Sequence, residues 1–233
     1  MEDRAVLAQA YSEVVNGRRS IRGYKPDPVP KPLIVDILAL AMRSPSSLNT
    51  QPWNFYVVTG EPLARIRAGN TQRNLDRIPH TREFRSMENY DGVHRERQVG
   101  VAKQLFGAMG IERDDKPKRK DWVLRGFRQF DAPACIVVTY DRVLVGSDIA
   151  PFDCGAVATA IVNAAWSRGL GCVINSQGIM HSAVVRAEAG IADDQTIMIC
   201  IAIGWPDESF PANAVVSTRK AVEEAATFVG FDD

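Results

Sequence analysis

The stretch from residue 154 to residue 167, CGAVATAIVNAAWS, constrains the fold most, because nearly every side chain in it is small or apolar. Its composition predicts a helix that Asp153 caps at the N-terminus and Gly169 ends. A helix that is apolar on all sides is buried on all sides, and Ala and Gly surfaces allow a second helix to approach closely. We therefore expect this helix at the centre of the molecule or of a dimer.

Apolar periodicity predicts the elements around this helix. Helices are expected over residues 2–17 and 32–43 and from Glu61 onward, and strands over residues 55–58, 134–140 and 196–203. Residues 171–174 are expected to lead into a polar turn. Helices outnumber strands, and the strands are spaced too irregularly for a repeating βα unit, so the predicted fold class is α+β. A chain of 233 residues suits one domain, spanning residues 1–233.

Charge and hydropathy exclude several classes of partner. The 28 Lys and Arg residues balance 28 Asp and Glu residues, which argues against nucleic acid or a membrane surface as the main partner. No apolar run approaches the length of a membrane span, and residues 1–20 carry charges where a signal peptide has an apolar core. We expect a cytoplasmic protein that binds neither nucleic acid nor membrane.

Cysteine and histidine spacing predicts no metal site. Cys135, Cys154, Cys172 and Cys200 are far apart in the sequence, and none belongs to a CxxC pair. Each lies among small or apolar neighbours, which favours buried free thiols over metal ligands or disulfides. The three histidines also stand alone in the sequence.

Two segments carry few apolar residues. Residues 80–125 are a polar insertion in which residues 99–111 are apolar and residues 114–121 are charged and interrupted by Pro. Such an insertion is either a lid over a site or a solvated excursion that contains a helix, and the sequence leaves both open. Residues 207–233 cannot build a core of their own, and we expect a C-terminal arm that wraps another surface.

Arginine and hydroxyl side chains are concentrated directly after the first predicted helix, at Arg18, Arg19, Ser20 and Arg22. Guanidinium groups keep their charge at every physiological pH and match the oxygen atoms of phosphate. This set therefore indicates an anion site, with an exposed basic turn as the alternative. A second polar segment, RSPSSLNTQPWNFYVVTG at residues 43–60, places short hydrogen-bonding side chains between prolines, as a site for a flat polar ligand would require.

Sequence motifs of several enzyme classes are missing. The chain contains no GxGxxG, no GxxxxGK[ST] and no GxSxG. This argues against a Rossmann enzyme, a P-loop enzyme and a serine hydrolase.

The polar motifs resemble those of the FMN-dependent nitroreductase family. They are RRSxR at residues 18–22, PSSxNxQPW at residues 45–53, GLG at residues 169–171 and GWPDE at residues 204–208, and the resemblance covers nearly the whole chain. The insertion at residues 80–125 resembles the branch that reduces nitrobenzoates and other substituted nitroaromatics. Related chains often have Asn where this chain has Gly126, so that Arg125 or Arg128 would make the contact there.

The resemblance implies a fold, a cofactor and a reaction. The implied fold is nitroreductase-like, with a central, mostly antiparallel sheet flanked by helices, in an intertwined homodimer with FMN at the interface. NADPH or NADH would reduce FMN, and a nitroaromatic or a quinone would then be reduced in a ping-pong reaction. No catalytic side chain is expected, because the cofactor carries the chemistry.

The resemblance also implies site residues, with FMN held by both subunits. If the insertion is a lid, Leu105, Phe106 and Met109 would form its apolar underside over the substrate pocket; the alternative is that Phe106 only anchors a surface helix. Arg82, Arg85, Arg95 and Arg97 could receive a substrate carboxylate or a dinucleotide phosphate. The implied cofactor-binding residues are Arg18, Arg19, Ser20, Arg22, Pro45, Ser46, Ser47, Asn49, Gln51, Ile174, Asn175, Ser176, Gln177, Gly178 and Arg219.

Two other functions stay open at this point. The same fold hosts flavin-linked dehalogenases and ene-type reductases, which act on iodotyrosine or activated alkenes. A flavin-storing protein would bind FMN without oxidising NAD(P)H.

Overall fold

An antiparallel sheet lies at the centre of the computed structural model, which describes residues 2–84 and 89–231 and the side chains from residue 6 onward. Its strands are β1 (Trp53–Thr59), β2 (Ala134–Asp141), β3 (Gly171–Asn175) and β4 (Gln195–Gly204). They pair in the order β1-β2-β4-β3, and every pair is antiparallel. The α-helices are α1 (Glu2–Gly17), α2 (Lys31–Ala41), α3 (Gly60–Leu75), α4 (Gly92–Ala108), α5 (Lys116–Phe127), α6 (Ile149–Trp166) and α7 (Ser182–Ala189). The predicted α+β class is confirmed.

The apolar helix predicted around residues 154–167 is α6, which begins earlier than expected, at Ile149. Asp153 is therefore not its N-cap, and that prediction was wrong. The carboxylate of Asp153 is buried inside the fold, and its Oδ2 accepts a hydrogen bond of 3.1 Å from the backbone N–H of Ser47. Asp153 thus fastens the polar loop before β1 to the central helix.

One face of α6 packs on the sheet, and the opposite face is open in the single chain. Phe152 is 74% exposed, and Gly155 and Thr159 on the same stripe are exposed as well. The helix is long and apolar enough to span a membrane, so the expectation that no run approaches this length was wrong. Half of it is nevertheless buried against the fold, which is the pattern of a core helix.

The insertion is more helical than its sequence suggested. Most of the apolar segment at residues 99–111 lies in α4, which begins at Gly92. The charged run that Pro was expected to interrupt forms α5 instead. Pro117 lies in the first turn, where a backbone N–H has no partner within the helix, and Asp115 caps this end by accepting a 3.0 Å hydrogen bond from the N–H of Lys118. Strand β3, where only the approach to a turn was expected, and helix α7 were missed.

The residues after β4 run along the surface. Phe210 covers Gly23 so closely that a Cβ on Gly23 would lie 2.1 Å from its side chain. Asn213 is buried beside it, whereas Phe228 and Phe231 near the end are exposed. What this arm covers stays a prediction.

His181 is a buried titratable group between β3 and α7. Its ring lies edge-on to that of His80, with the ring centres 5.2 Å apart. Among the described residues, neither ring nitrogen has a hydrogen-bond partner. Burial lowers the pKa of His181, and the neighbouring His80 and Arg73 lower it further. The lowered pKa favours the neutral form of His181 in the folded protein.

We expect His181 to make the protein sensitive to acid. In the unfolded chain this histidine takes up a proton near pH 6.5, whereas in the folded protein its lowered pKa opposes protonation. The contribution of neutral His181 to the free energy of unfolding is therefore full above about pH 6.5. It falls as the pH is lowered, by up to about 1.4 kcal/mol at about pH 5.5. Urea unfolding at about pH 7.5 and about pH 5.5 should show a smaller acid loss in His181→Leu than in the wild type. The exposed His94, changed to Gln, is the matched control. An equal acid loss in all three proteins would contradict this assignment.

Candidate functional site

The arginine-rich segment after α1 runs along the outer edge of β3. The backbone N–H of Ile21 donates to the carbonyl of Cys172 over 2.9 Å, and that of Lys25 donates to the carbonyl of Trp205 over 2.9 Å. Gly171 is needed for this approach, because a Cβ there would lie 2.5 Å from the side chain of Ile21. Residues 18–25 therefore act as an extension of the sheet, and the arginines stand at its edge.

Asn213 fixes the same segment from the opposite side. Its Oδ1 accepts from the backbone N–H groups of Arg22 (2.7 Å) and Gly23 (3.1 Å). Its Nδ2 donates to the carbonyls of Gly23 (2.8 Å) and Asp207 (2.9 Å). One buried side chain thus satisfies four backbone groups and joins the C-terminal arm to the arginine segment.

The predicted anion-binding arginines meet at one cavity of about 480 Å³, here called the arginine cavity. Among the described residues, none of Arg18, Arg19, Arg22 and Arg219 forms a salt bridge, although other arginines of the chain are paired with carboxylates. Like charges gathered without a carboxylate leave room for a bound anion. The cavity is lined by Tyr11, Val15, Asn16, Arg18, Arg19, Ser20, Arg22, Val101, Thr159, Asn163, Val215, Val216, Ser217 and Arg219.

Arg22 also lines a second cavity of about 480 Å³, here called the turn cavity. Burial lowers the pKa of its guanidinium from the ordinary value, and the nearby Tyr24 opposes that shift. Its Nη1 donates to the carbonyl of Ser20 over 3.2 Å, and Arg125 donates to the carbonyl of Arg22 over 3.1 Å. The turn cavity is lined by Arg22, Gln98, Ala102, Leu105, Phe106, Trp122, Val123, Phe130, Val173, Ile174, Asn175, Ser176 and Gln177.

The polar turn after β3 is held by buried amides. Asn175 donates to the carbonyl of Gly126 (2.7 Å) and to Oε1 of Gln129 (3.1 Å). Gln129 in turn donates to the carbonyl of Gly178 over 3.0 Å. A Cβ on Gly126 would lie 2.0 Å from Oε1 of Gln177, so a glycine at this position makes room for the turn.

Arg125 and Arg128 were expected to make the contact of an Asn at position 126. Neither of them lines the arginine cavity or the turn cavity. Arg125 pairs with Asp131 at 3.3 Å and supports the backbone of Arg22. Arg128 pairs with Asp121 at 3.2 Å and with Asp131 at 3.3 Å. Both cations are thus engaged in the structure around the turn.

The other polar loop lies apart from the two cavities. Ser47, Asn49 and Gln51 are exposed, and Pro45, Ser46 and their neighbours up to residue 51 are absent from the lining of either cavity. Its backbone is unusual, because Leu48, Asn49 and Gln51 have φ of 49°, 59° and 45°. Gln51 fixes the loop internally, its N–H donating to Ser46 Oγ over 3.0 Å. A loop held in this conformation is typical of a functional segment.

Only some of the residues predicted for the substrate pocket line a cavity of the site. Leu105 and Phe106 of α4 line the turn cavity, whereas Met109 lies just after the end of α4 and lines neither cavity. Gly178 is buried behind the turn. Of the four arginines predicted to receive an anion, Arg82, Arg95 and Arg97 line neither cavity, and Arg85 lies outside the described residues.

Sequence reasoning missed the residues that hold the site together. Asn213 and Gln129 carry no recognisable motif, and only their burial as amides marks them in the structure. Trp122 was missed as a lining residue because it lies in a charged helix, and Phe130 was missed because it lies just before a strand.

Comparisons with known proteins identify the family of this chain. Residues 15–205 match the Nitroreductase family. The chain is 34% identical to the nitrobenzene nitroreductase of Ectopseudomonas oleovorans over 221 residues, which is 93% of this chain and 96% of that protein. It is 34% identical to the 4-nitrobenzoate reductase of Nocardioides sp. (strain LMS-CY) over 230 residues, 97% of this chain and 92% of that protein.

A solved structure gives the same result for the fold. The FMN-dependent nitroreductase NfnB from Mycobacterium smegmatis, in complex with NADPH, matches with a TM-score of 0.89 at 26% identity, covering 96% of this chain and 99% of that one. Sequence and fold therefore agree over nearly the whole length, and this chain belongs to the nitroreductase family.

Proposed function

We propose that this protein is a homodimeric, cytoplasmic flavoprotein that uses NADPH or NADH to reduce nitroaromatic compounds, and quinones as well, through bound FMN. The observation that carries the proposal is the arginine cavity. Its four arginines face one space and have no carboxylate partner among the described residues. The relatives named above are a nitrobenzene nitroreductase, a 4-nitrobenzoate reductase and an FMN-dependent nitroreductase.

The two cavities fit the two ends of FMN. Guanidinium groups of the arginine cavity suit the phosphate, and Ser20, Asn163 and Ser217 offer hydroxyl and amide groups for the ribityl chain. The turn cavity offers apolar walls at Phe130 and Val173 for a flat ring. Because Arg22 lines both cavities, one ligand can extend from the first into the second.

The chain's own residues bind and orient, and FMN when bound supplies the redox chemistry between the nicotinamide donor and the nitro group. Arg22 would offer a cation to the edge of the flavin ring, which gains negative charge on reduction. Leu105, Phe106 and Ile174 form an apolar wall that restricts water near a flat substrate. No general acid or nucleophile is required of the protein, which agrees with the absence of such a motif.

Several exposed features support a homodimer. The loop at residues 45–51 carries family motif residues but lies apart from the cavities of its own chain. The open stripe of α6 exposes Phe152 beside the smaller Gly155 and Thr159, and Val6, Leu7 and Tyr11 on α1 are exposed by 62%, 68% and 67%. We infer that a second subunit covers these apolar surfaces and supplies its loop to the cofactor.

The cytoplasmic location is supported by the state of the cysteines. Cys135, Cys154, Cys172 and Cys200 are all buried and free. Unpaired thiols are typical of proteins in a reducing compartment.

We expect Arg219→Gln to weaken FMN binding by roughly ten- to a hundredfold, because a hydrogen bond to a charged group contributes about 1.5–3 kcal/mol. The measurement is titration of the apoprotein with FMN by flavin fluorescence. Lys220→Gln, beside it and outside the arginine cavity, is the matched control. Equal FMN affinity in the two variants would remove Arg219 from the phosphate site.

We expect mixed dimers to reveal whether two chains share each flavin site. When an Arg22→Ala chain pairs with an Asn49→Ala chain, a shared arrangement leaves one site with both lesions and the other intact, so up to half of the wild-type activity returns. The control pairs a wild-type chain with a chain carrying both substitutions, which places one lesion in each site and restores nothing. The reverse pattern, in dimers proven by mass spectrometry, would place both residue sets in the site of one chain.

A further inference from the structure

A third cavity, of about 790 Å³, lies between α4 and α5, next to the turn cavity. We call it the helix cavity. Gln98, Ala102 and Phe106 line both the helix cavity and the turn cavity, so the two cavities lie next to each other along one stripe of α4. Its lining residues are Arg95, Gln98, Val99, Ala102, Lys103, Phe106, Gly107, Ile111, Arg113 and Arg119.

The lining of the helix cavity is positively charged. Arg95, Lys103, Arg113 and Arg119 face it, and no carboxylate lines it. Within residues 2–84 and 89–231, none of these four cations forms a salt bridge. By contrast, Arg125 and Arg128 on the same side of the molecule are both paired with Asp131. The helix cavity therefore favours an anionic ligand.

The cavity also contains a flat platform. The guanidinium of Arg119 lies 4.5 Å from the centre of the Phe106 ring, and the ring of Trp122 lies edge-on to that of Phe106, with the ring centres 6.5 Å apart. Such a stack accepts a planar ring beside a charged group. Phe106 therefore presents aromatic surface to both cavities.

We propose that the helix cavity binds the adenosine 2′-phosphate end of NADPH while the nicotinamide reaches the turn cavity, an inference that rests on the proposed function. A phosphate monoester carries a charge of about −1.5 to −2 near neutral pH, which suits several converging cations. A nitrobenzoate carries a single carboxylate and is small compared with a cavity of about 790 Å³. The chain is thereby built to prefer NADPH over NADH.

The first test measures flavin reduction in the purified holoenzyme by rapid mixing with NADPH or with NADH. Lys103→Gln and Arg113→Gln are exposed changes that remove charge from the cavity, and Lys120→Gln on α5 is a matched control outside it. We expect the apparent second-order rate constant for flavin reduction by NADPH to fall on the order of tenfold in the two cavity variants, while the constant for NADH and both constants of the control change little. An equal fall for both donors, or no fall, would overturn the proposal.

Two further measurements distinguish a dinucleotide phosphate from a substrate carboxylate as the bound anion. They also distinguish a failure of this inference from a failure of the proposed function. Isothermal titration of the holoenzyme should show tighter binding of adenosine 2′,5′-bisphosphate than of adenosine 5′-phosphate, and the cavity variants should abolish the difference. Selective loss of activity with 4-nitrobenzoate relative to nitrobenzene would instead assign the cavity to a substrate carboxylate and overturn the proposal. If the purified protein reduced no nitroaromatic with either donor, the proposed function would fail, whereas the titration would still test the cavity.

Discussion

The attachment of residues 18–25 to the edge of β3 is the interaction on which the site depends. Arginines crowded into a few residues repel one another, and a flexible segment would let them separate into solvent. Backbone hydrogen bonds from Ile21 and Lys25 to the sheet, together with the bonds of buried Asn213 to Arg22 and Gly23, keep the segment in place. The sheet therefore supplies the rigidity that lets several guanidinium groups face one cavity.

The buried amides under the polar turn join two parts of the site. Asn175 and Gln129 link the turn after β3 to the C-terminal end of α5, and Asn70 adds a 2.9 Å bond to the carbonyl of Gly178. A buried amide left without partners costs about 1–3 kcal/mol, so the turn and the end of α5 are held in one arrangement. The helix that walls the turn cavity is thus anchored at its base, and α4 completes the wall through Leu105 and Phe106.

Much of the fold and part of the site could be predicted from the sequence, because the relevant signals are local. Continuous apolar runs placed β2 and β4, and small apolar side chains marked α6 as the central helix. Neighbouring residues also identified the arginine set, since Arg18, Arg19, Ser20 and Arg22 reach one cavity simply by being adjacent on one extended segment. The periodicity of apolar residues and the adjacency of residues along the chain are the same in any fold that buries the apolar residues.

Contacts between distant segments were decided only by the tertiary structure. Asp153 has the chemistry of an N-cap, but it lies within α6 because the helix begins at Ile149, and its carboxylate accepts from Ser47 instead. Asn213 and Gln129 have no local signal, since their partners lie far away in the chain. By itself, the sequence determined which residues are apolar, charged or conformationally restricted. Which of them meet depends on the packing of sheet and helices, because a side chain's partners are set by the sum of all buried contacts.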